Sequence, residues 1–217
     1  MSEPRHGLRL VLISDTHGHH DMLQVPPGDV LIHAGDFTRY GRHDDVIAFN
    51  QWLGTLPHAF KFVILGNHES NSAWVKGGAP YTQARCMLSF ATLLVNESAE
   101  VPIAHEAHDN DVMPLRLFGT NFAWPMAEGE DHPNYSLIPK DTDVLITHGP
   151  PKGNVDGMLG CQSLARHVER VRPKVLVCGH IHEAHGVEMR AGTCYANAAN
   201  AKRGHGQMGW EPIVLDI

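Results

Sequence analysis

The sequence predicts a mixed α/β protein built as a layered sandwich. Short apolar runs rich in β-branched residues recur along the chain, and turn-forming residues follow each run directly. In the first half, segments with helical spacing separate these runs, which is a βαβ pattern. In the second half several runs follow one another without an intervening helix, so we expect mixed sheets rather than a uniformly parallel one.

The predicted strands of the βαβ part are near-continuous apolar runs, which is typical of strands buried on both faces. They cover residues 8–14, 30–34, 60–65, 115–119, 144–147 and 175–178. Further strands are predicted at residues 101–105, 187–189, 194–197 and 213–217, where no helical segment separates each pair.

Two segments have the spacing of amphipathic helices. Residues 44–56 and 161–171 each place their apolar side chains mainly on one face, with Phe49 and Leu53 in the first and Leu164 and Val168 in the second. Residues 126–135 show no periodicity and are predicted to form a loop.

Length and composition favour one ordered domain. The chain has 217 residues, 42% of them apolar, which is enough for one sizeable core and short for two. We therefore expect a single domain over residues 1–217. The net charge of -7 argues against dedicated nucleic-acid binding, because such proteins neutralise phosphates with an excess of Lys and Arg.

The cysteines and the apolar segments indicate an intracellular protein. The four cysteines, at positions 86, 161, 178 and 194, form no Cys-x-x-Cys pair and are interpreted as small buried residues. The apolar run at residues 8–13 is too short for a signal sequence, and no stretch approaches the roughly 20 apolar residues of a membrane span. We expect a cytoplasmic location and no membrane partner.

Residues able to bind metals occur in five short clusters, most of them directly after a predicted strand. Because the carboxyl ends of adjacent parallel strands meet at one edge of a sheet, these clusters should converge there. Their oxygen and imidazole donors suit Mn, Fe or Zn, and are too many for one ion but about right for two. The clusters are Asp15-Thr16-His17-Gly18, Gly35-Asp36, Gly66-Asn67-His68-Glu69, His148-Gly149-Pro150-Pro151 and Gly179-His180-Ile181-His182.

The order of these motifs resembles that of the calcineurin-like metallophosphoesterase superfamily. The resemblance spans residues 15–182 and is closest to the branch of metallophosphoesterase-domain-containing proteins, on the segments 32–38, 147–151, 160–161 and 179–183. It implies two mixed β-sheets flanked by helices, with a dinuclear metal centre between the sheets. The tail after Cys194, with its Ala-Asn-Ala-Ala-Asn segment and its Gly-rich residues 204–209, departs from the pattern expected of the family.

The resemblance also implies a ligand set and two divalent metal ions, with Mn favoured and Fe or Zn as alternatives. By motif position one metal takes Asp15, His17, Asp36 and His182, and the other takes Asp36, Asn67, His148 and His180, so Asp36 bridges them. Two such ions lower the pKa of a shared water towards 7, which provides hydroxide for attack on phosphorus.

His68 follows a ligand position without being a ligand itself. We expect it to donate a proton to the leaving alkoxide or to stabilise the transition state, as the superfamily does at this position. The alternative is that His68 only orients Asp15 or Asp36.

The resemblance, together with a chain length that leaves little room for a cap domain, implies hydrolysis of small phosphodiesters, including linear and cyclic nucleotides. The alternatives are a phosphomonoesterase or protein phosphatase on the same centre, a non-catalytic nucleotide-binding scaffold, and a histidine-based metal store. Oligomeric state is not predicted from the sequence.

Other conspicuous residues receive simpler interpretations. His33 is expected to be a buried hydrogen-bond partner of the ligands, and His19 and His20 are expected to be exposed. Arg39 and Arg42 are interpreted as solvated loop arginines rather than phosphate contacts. For the aromatic pair, stacking on a base at the mouth of the site and packing in the core are both open: Phe122 and Trp124.

Overall fold

A computed structural model describes residues 7–76, 81–103, 114–124, 126, 129–202, 204 and 207–217. Two β-sheets pack face to face in this part of the chain, and helices cover their outer faces. This is the predicted layered α/β sandwich of two mixed sheets.

The first sheet has the strand order β11-β1-β2-β3-β4. Strands β1 to β4 run parallel to one another, and β11 pairs antiparallel with β1. The strands are β1 (Arg9–Ile13), β2 (Val30–His33), β3 (Phe60–Val63), β4 (Thr92–Leu93) and β11 (Ile213–Asp216).

The second sheet has the strand order β5-β6-β7-β8-β10-β9. Its four central strands are parallel, and each edge strand pairs antiparallel with its neighbour. The strands are β5 (Glu97–Val101), β6 (Leu115–Gly119), β7 (Val144–Ile146), β8 (Val175–Cys178), β9 (Gly186–Arg190) and β10 (Thr193–Asn197).

Alternation along the buried strands creates the layers. In β1, Leu10 and Leu12 point into the core between the sheets, whereas Val11 and Ile13 point outward against the helices. The outer layers contain α1 (His43–Thr55), α2 (Asn67–Ser70), α3 (Ala73–Lys76), α4 (Thr82–Met87), α5 (Pro133–Ser136) and α6 (Gln162–Val171), with short 3-10 turns at His20–Met22 and His182–Ala184.

The two long helices form where their apolar periodicity predicts them. Helix α1 buries Phe49 and Leu53 against the first sheet, and α6 buries Leu164 and Val168 against the second. Helix α6 stops at Arg172, which adopts a left-handed conformation with φ of 53° just before Pro173.

Two predictions of secondary structure are wrong. The strand expected at residues 101–105 lies earlier, at Glu97–Val101, and residues 104 and 105 fall outside the described residues. The loop expected at residues 126–135 contains the start of a one-turn helix, α5, with Pro133 at its beginning and Tyr135 buried; residues 127 and 128 fall outside the described part.

The parallel strands of both sheets end at the same edge of the sandwich, which positions the site. Backbone hydrogen bonds join the loops there: Asp15 N donates to Gly35 O at 3.0 Å, and Gly179 N donates to His148 O at 2.8 Å. Of the helices in the described ranges, all are too short or too polar to cross a lipid bilayer.

Candidate metal centre

The strand-end loops bring the predicted ligands together. In three groups, the candidate ligand atoms lie within 4.8 Å of one another, and Asp36 and His17 each belong to two of them. The groups are Asp15 with His17 and His182, Asp36 with His148 and His180, and His17 with Asp36 and His68. Each of the first two groups contains three of the four residues predicted for one metal. Their assignment to metals remains a prediction.

Asp15 is fully buried and is held through one of its two oxygens. Oδ2 accepts a hydrogen bond from the backbone N–H of His180 at 2.9 Å. Oδ1 faces ring nitrogens instead, with Nε2 of His182 at 3.4 Å and Nε2 of His17 at 4.0 Å. Within the described residues Oδ1 makes no hydrogen bond, so a buried charge points at a cluster of imidazoles.

Asp36 repeats this arrangement. Its Oδ1 accepts a hydrogen bond from the backbone N–H of His68 at 2.9 Å. Its Oδ2 lies 3.3 Å from Nε2 of His148 and 3.8 Å from Nε2 of His68. Each carboxylate therefore has one oxygen fixed by the backbone and the other directed into the histidine cluster, as a metal-ligating carboxylate requires.

The environment of His148 identifies which nitrogen is available to a cation. Nδ1 donates to the carbonyl oxygen of Ala34 at 2.7 Å, so Nε2 is the nitrogen that can face a cation. Burial opposes protonation of the ring, but Asp36 and Asp15 outweigh burial and raise the pKa of His148 to about 10, so a cation at Nε2 would displace the proton there. Nε2 lies 3.1 Å from Oδ1 of Asn67 and 3.3 Å from Oδ2 of Asp36. Three electron-pair donors thus converge, and a divalent cation satisfies all three.

The pKa values of the candidate ligands determine how they would bind a divalent cation. Burial lowers the pKa of His17 and of His180 to about 4, so both rings are neutral at pH 7 and can ligate a metal. Burial alone would raise the pKa of the Asp15 carboxyl, but His182, His148 and His17 lower it well below its ordinary range. For His182 and His148 burial also opposes protonation, but Asp15 raises the pKa of the first and Asp36 with Asp15 raises that of the second, so a divalent cation would bind these two rings by displacing their protons.

The backbone at the site is strained. Asp15, His17, Asp36 and His180 all adopt left-handed conformations, with φ of 55°, 45°, 54° and 68°. Such conformations cost free energy in non-glycine residues and persist where the surroundings impose them, often at functional sites.

Two glycines allow the loops to approach the carboxylates. A Cβ atom at Gly66 would overlap the Asp36 carboxylate, and one at Gly179 would overlap Oδ2 of Asp15. Glycine at both positions is therefore required by the close approach of backbone to ligand.

Glu69 organises the centre, and sequence reasoning assigned it no role although it belongs to the Gly66–Glu69 motif. Its fully buried carboxylate accepts hydrogen bonds from Asp36 N at 2.9 Å and Gly66 N at 3.0 Å. The other oxygen accepts from Thr38 N at 2.8 Å and Thr38 Oγ1 at 2.6 Å. Burial, followed by the charge of Asp36, raises the pKa of Glu69 above its ordinary range. Glu69 therefore ties the Asp36 loop to the Asn67 loop.

The tail after Cys194 forms a wall behind the ligands. Asn197 Nδ2 donates to Ile181 O at 2.9 Å and to Val155 O at 3.1 Å. Asn200 Oδ1 accepts from Ser14 N at 3.1 Å. These two buried amides fix the backbone beside the candidate ligands, and their residue type alone gave no signal of this role.

The remaining histidines have different positions. His33 is buried as predicted: its Nδ1 accepts from Gly35 N at 3.2 Å, and its Nε2 donates to Thr16 Oγ1 at 3.0 Å. The expectation that His20 is exposed is wrong. Its ring packs against Phe49 and Trp52, with centroid distances of 5.4 and 5.1 Å, because the His20–Met22 turn folds onto α1. His19 is partly buried.

Aromatic and basic residues lie around the centre. The Phe122 ring is 5.4 Å from the ring of His148, and the Trp124 ring is 5.2 Å from that of His180, so both half-buried aromatics border the candidate ligands. Arg39 and Arg42 are exposed, as expected of loop arginines.

Comparison with known sequences agrees with this geometry. The sequence model of the calcineurin-like phosphoesterase family matches residues 8–184. The chain belongs to the calcineurin-like phosphoesterase family. It is 36% identical to the human metallophosphoesterase domain-containing protein 1 over 96% of this chain and 71% of that protein. It is also 36% identical to the UPF0046 protein K07C11.7 of Caenorhabditis elegans, over 97% of this chain and 75% of that protein.

Solved structures show the same fold at low sequence identity. One has a TM-score of 0.63 at 14% identity and covers 96% of this chain and 94% of its own. The protein TT1561 of Thermus thermophilus has a TM-score of 0.55 at 12% identity, with 88% of both chains covered. Calcineurin-like phosphoesterases typically use a dinuclear metal centre, and the three residue groups above are candidate ligands for one.

Proposed function

We propose that this calcineurin-like phosphoesterase is a phosphodiesterase that hydrolyses small linear or cyclic nucleotides at a dinuclear metal centre, with Mn as the favoured metal. One observation carries the proposal: Asp15 and Asp36 each keep one oxygen on a backbone N–H and direct the other at histidine nitrogens. Such a donor set holds hard or borderline divalent cations rather than a purely structural thiolate-bound zinc.

The residues fall into two halves around Asp36. One cation would take Asp15, His17, Asp36 and His182; the other would take Asp36, Asn67, His148 and His180. When bound, two adjacent divalent cations supply positive charge for the phosphate and hydroxide for attack at neutral pH. The protein's own contribution is to hold these donors rigidly through Glu69, Asn197 and Asn200, so that little reorganisation accompanies the reaction.

His68 is the proton donor in this proposal. Its Nδ1–H is directed to the carbonyl oxygen of Arg39, which fixes the orientation of the ring. Nε2 lies 3.8 Å from Oδ2 of Asp36, at the edge of the candidate centre. A protonated ring there gives its Nε2 proton to the leaving alkoxide while Nδ1–H stays on the carbonyl.

The preference for nucleotide substrates is supported by the aromatic border. Phe122 and Trp124 are half-buried beside His148 and His180 and offer flat surfaces to a base or an aryl ester group. Because the single ester group of a nucleotide monoester also carries a base, this border supports nucleotides as substrates, and the substrate panel separates diesters from monoesters. A cytoplasmic location remains the prediction from the sequence.

The test combines metal analysis with a substrate panel in the presence of added Mn. The panel contains bis(p-nitrophenyl) phosphate, p-nitrophenyl phosphate, linear dinucleotides and 2',3'- and 3',5'-cyclic nucleotides. We expect diesters to exceed monoesters in kcat/KM, and Asp36→Asn or His148→Ala to abolish turnover without unfolding the protein. The matched control is His43→Ala, since His43 is exposed at the start of α1. A folded, metal-loaded protein that leaves every diester intact contradicts the proposal.

A further inference from the structure

The loop that follows Asp36 is anchored at successive residues. Gly41 N donates to Thr38 Oγ1 at 3.0 Å, and Trp74 Nε1 donates to Gly41 O at 2.7 Å. Between these points the carbonyl oxygen of Arg39 accepts a hydrogen bond from Nδ1 of His68. The loop is thus held in one conformation although Arg39, Tyr40 and Arg42 are exposed.

Two guanidinium groups share one aromatic ring on this loop. Cζ of Arg39 lies 5.2 Å from the centre of the Tyr40 ring, and Cζ of Arg42 lies 5.6 Å from it. Both distances are within the range of cation–π contacts. Tyr40 is 61% exposed, and both arginines are exposed. We call these three residues the arginine platform.

The platform carries positive charge that the described residues do not neutralise. The ion pairs of described arginines involve Arg9, Arg85, Arg116 and Arg166. Within the described part of the chain neither platform guanidinium forms an ion pair, although Asp44 and Asp45 follow in the first turn of α1. In a protein of net charge -7, two adjacent and unneutralised arginines form a local site for an anion.

The backbone of the platform loop contacts His68, a residue of the candidate centre. Arg39 is three residues beyond Asp36, and its own carbonyl oxygen contacts the His68 ring. Phe122 and Trp124 border other candidate ligands, His148 and His180. Aromatic rings therefore border one pair of histidines, and the loop that carries the two arginines borders His68.

We propose that the arginine platform binds a second phosphate of the substrate, one that is not hydrolysed. Guanidinium groups bind phosphate with two parallel hydrogen bonds, and the Tyr40 ring holds both groups ready to do so. The preferred substrates are then nucleotide diesters with an additional phosphate, a class narrower than the diesters of the proposed function on which this inference rests.

A matched pair of chromogenic diesters isolates the second phosphate. Thymidine 5'-(p-nitrophenyl phosphate) and its 3'-phosphorylated form release the same p-nitrophenolate, and only the latter carries the extra phosphate. We expect the wild-type protein to have a lower KM for the 3'-phosphorylated substrate. Substituting Arg39→Gln and Arg42→Gln together should raise the KM for the 3'-phosphorylated substrate about tenfold or more, which is the loss of affinity expected when a charge-assisted hydrogen bond is removed. The KM of the other substrate and both kcat values should change less than about twofold.

The control removes one positive charge far from the centre. Arg172→Gln, at the end of α6 away from the site, should leave both KM values unchanged. Calorimetric titration with thymidine 3',5'-bisphosphate and thymidine 5'-monophosphate measures binding without turnover, and the double substitution should remove the advantage of the bisphosphate.

The outcomes separate this inference from the proposed function. Hydrolysis of both diesters with no arginine-dependent preference overturns the platform and leaves the phosphodiesterase standing. Arginine-dependent binding of the bisphosphate without hydrolysis of either diester supports the platform and contradicts the phosphodiesterase. Equal losses for both substrates in the double variant also overturn the platform, because they indicate a general disturbance of the site.

Discussion

Glu69→Gln is the substitution that examines most sharply how the protein holds its candidate centre. The Glu69 carboxylate accepts four hydrogen bonds, two on each oxygen, from Asp36 N, Gly66 N, Thr38 N and Thr38 Oγ1. Glutamine replaces one of those oxygens with an NH2 group, which donates rather than accepts. Whichever way the amide turns, one pair of donors loses its acceptor and faces another donor.

The expected loss of stability follows from these contacts. Each buried donor left without an acceptor costs about 1–3 kcal/mol, so two cost about 2–6 kcal/mol. For a chain of this size the midpoint of thermal unfolding falls about 2–4 °C per kcal/mol, so we expect a fall of at least about 4 °C. If the amide nitrogen faces Asp36 N, the Asp36 backbone is disturbed directly; if it faces Thr38, the same loop is disturbed two residues away. In both cases we expect Mn affinity to fall about 10–100-fold.

The assay pairs thermal unfolding, followed by circular dichroism, with calorimetric Mn titration of the folded protein. Glu188→Gln is the matched control, because it makes the same chemical change at an exposed residue of strand β9. It should alter neither the unfolding midpoint nor the Mn affinity. Unchanged Mn affinity in Glu69→Gln, measured well below its unfolding midpoint, would refute the role of Glu69 in positioning Asp36.

Three further predictions concern the catalytic proton, the packing of the loops and a pH-dependent contact. His68→Ala should slow diesters with alkoxide leaving groups about 10²–10⁴-fold more than those releasing p-nitrophenolate, because only the former need a proton; steady-state kinetics with equal losses on both would refute that role. Gly179→Ala should lower the Mn bound per chain in equilibrium dialysis, since its Cβ would overlap the Asp15 carboxylate, and full loading would contradict the geometry. Asp156→Asn should cost about 1–3 kcal/mol in urea unfolding at pH 7, because three backbone N–H groups donate to this carboxylate. Burial raises the pKa of the Asp156 carboxyl, but the three hydrogen bonds outweigh burial and lower that pKa below 3.8. The stabilisation by the ionised carboxylate is therefore present above pH 3.8 and lost in acid, so the difference in unfolding free energy between the wild-type protein and Asp156→Asn should shrink as the pH falls. A difference that stays constant with pH would contradict this prediction.

The parts of the fold that could be predicted are those encoded in contiguous residues. The runs that became β7 and β8 are buried on both faces and apolar throughout, and those of β1, β2 and β3 are apolar except for Arg9, His33 and Lys61, so all five stand out in the sequence. The candidate ligands follow these runs within a few residues, and parallel pairing then brings them to one edge. Proximity of Asp15, Asp36 and His148 was therefore predictable from order alone.

Other features depend on contacts that local sequence does not record. Strand β5 is an edge strand with three exposed polar residues, Glu97, Ser98 and Glu100, so a search for apolar runs places it too late. Helices α2, α3 and α4 have four to six residues, too few for a helical period to be visible.

The burial of polar residues inside the protein could not be predicted from the sequence. Glu69 and Asn197 belong to types that are mostly exposed, and their burial follows from backbone groups that only the folded chain brings near them. His20 was misjudged for the same reason: α1 supplies the aromatic surface that covers it, and that contact spans about 30 residues of sequence.

Electron paramagnetic resonance of the Mn-loaded protein tests whether the candidate centre binds two neighbouring metal ions, because it counts the bound ions and shows whether they are neighbours. The structure of the centre predicts two Mn ions per chain with a spin-coupled spectrum, and loss of the coupling in Asp36→Asn while His43→Ala retains it. A single ion per folded chain, or two ions with no magnetic coupling, would contradict it.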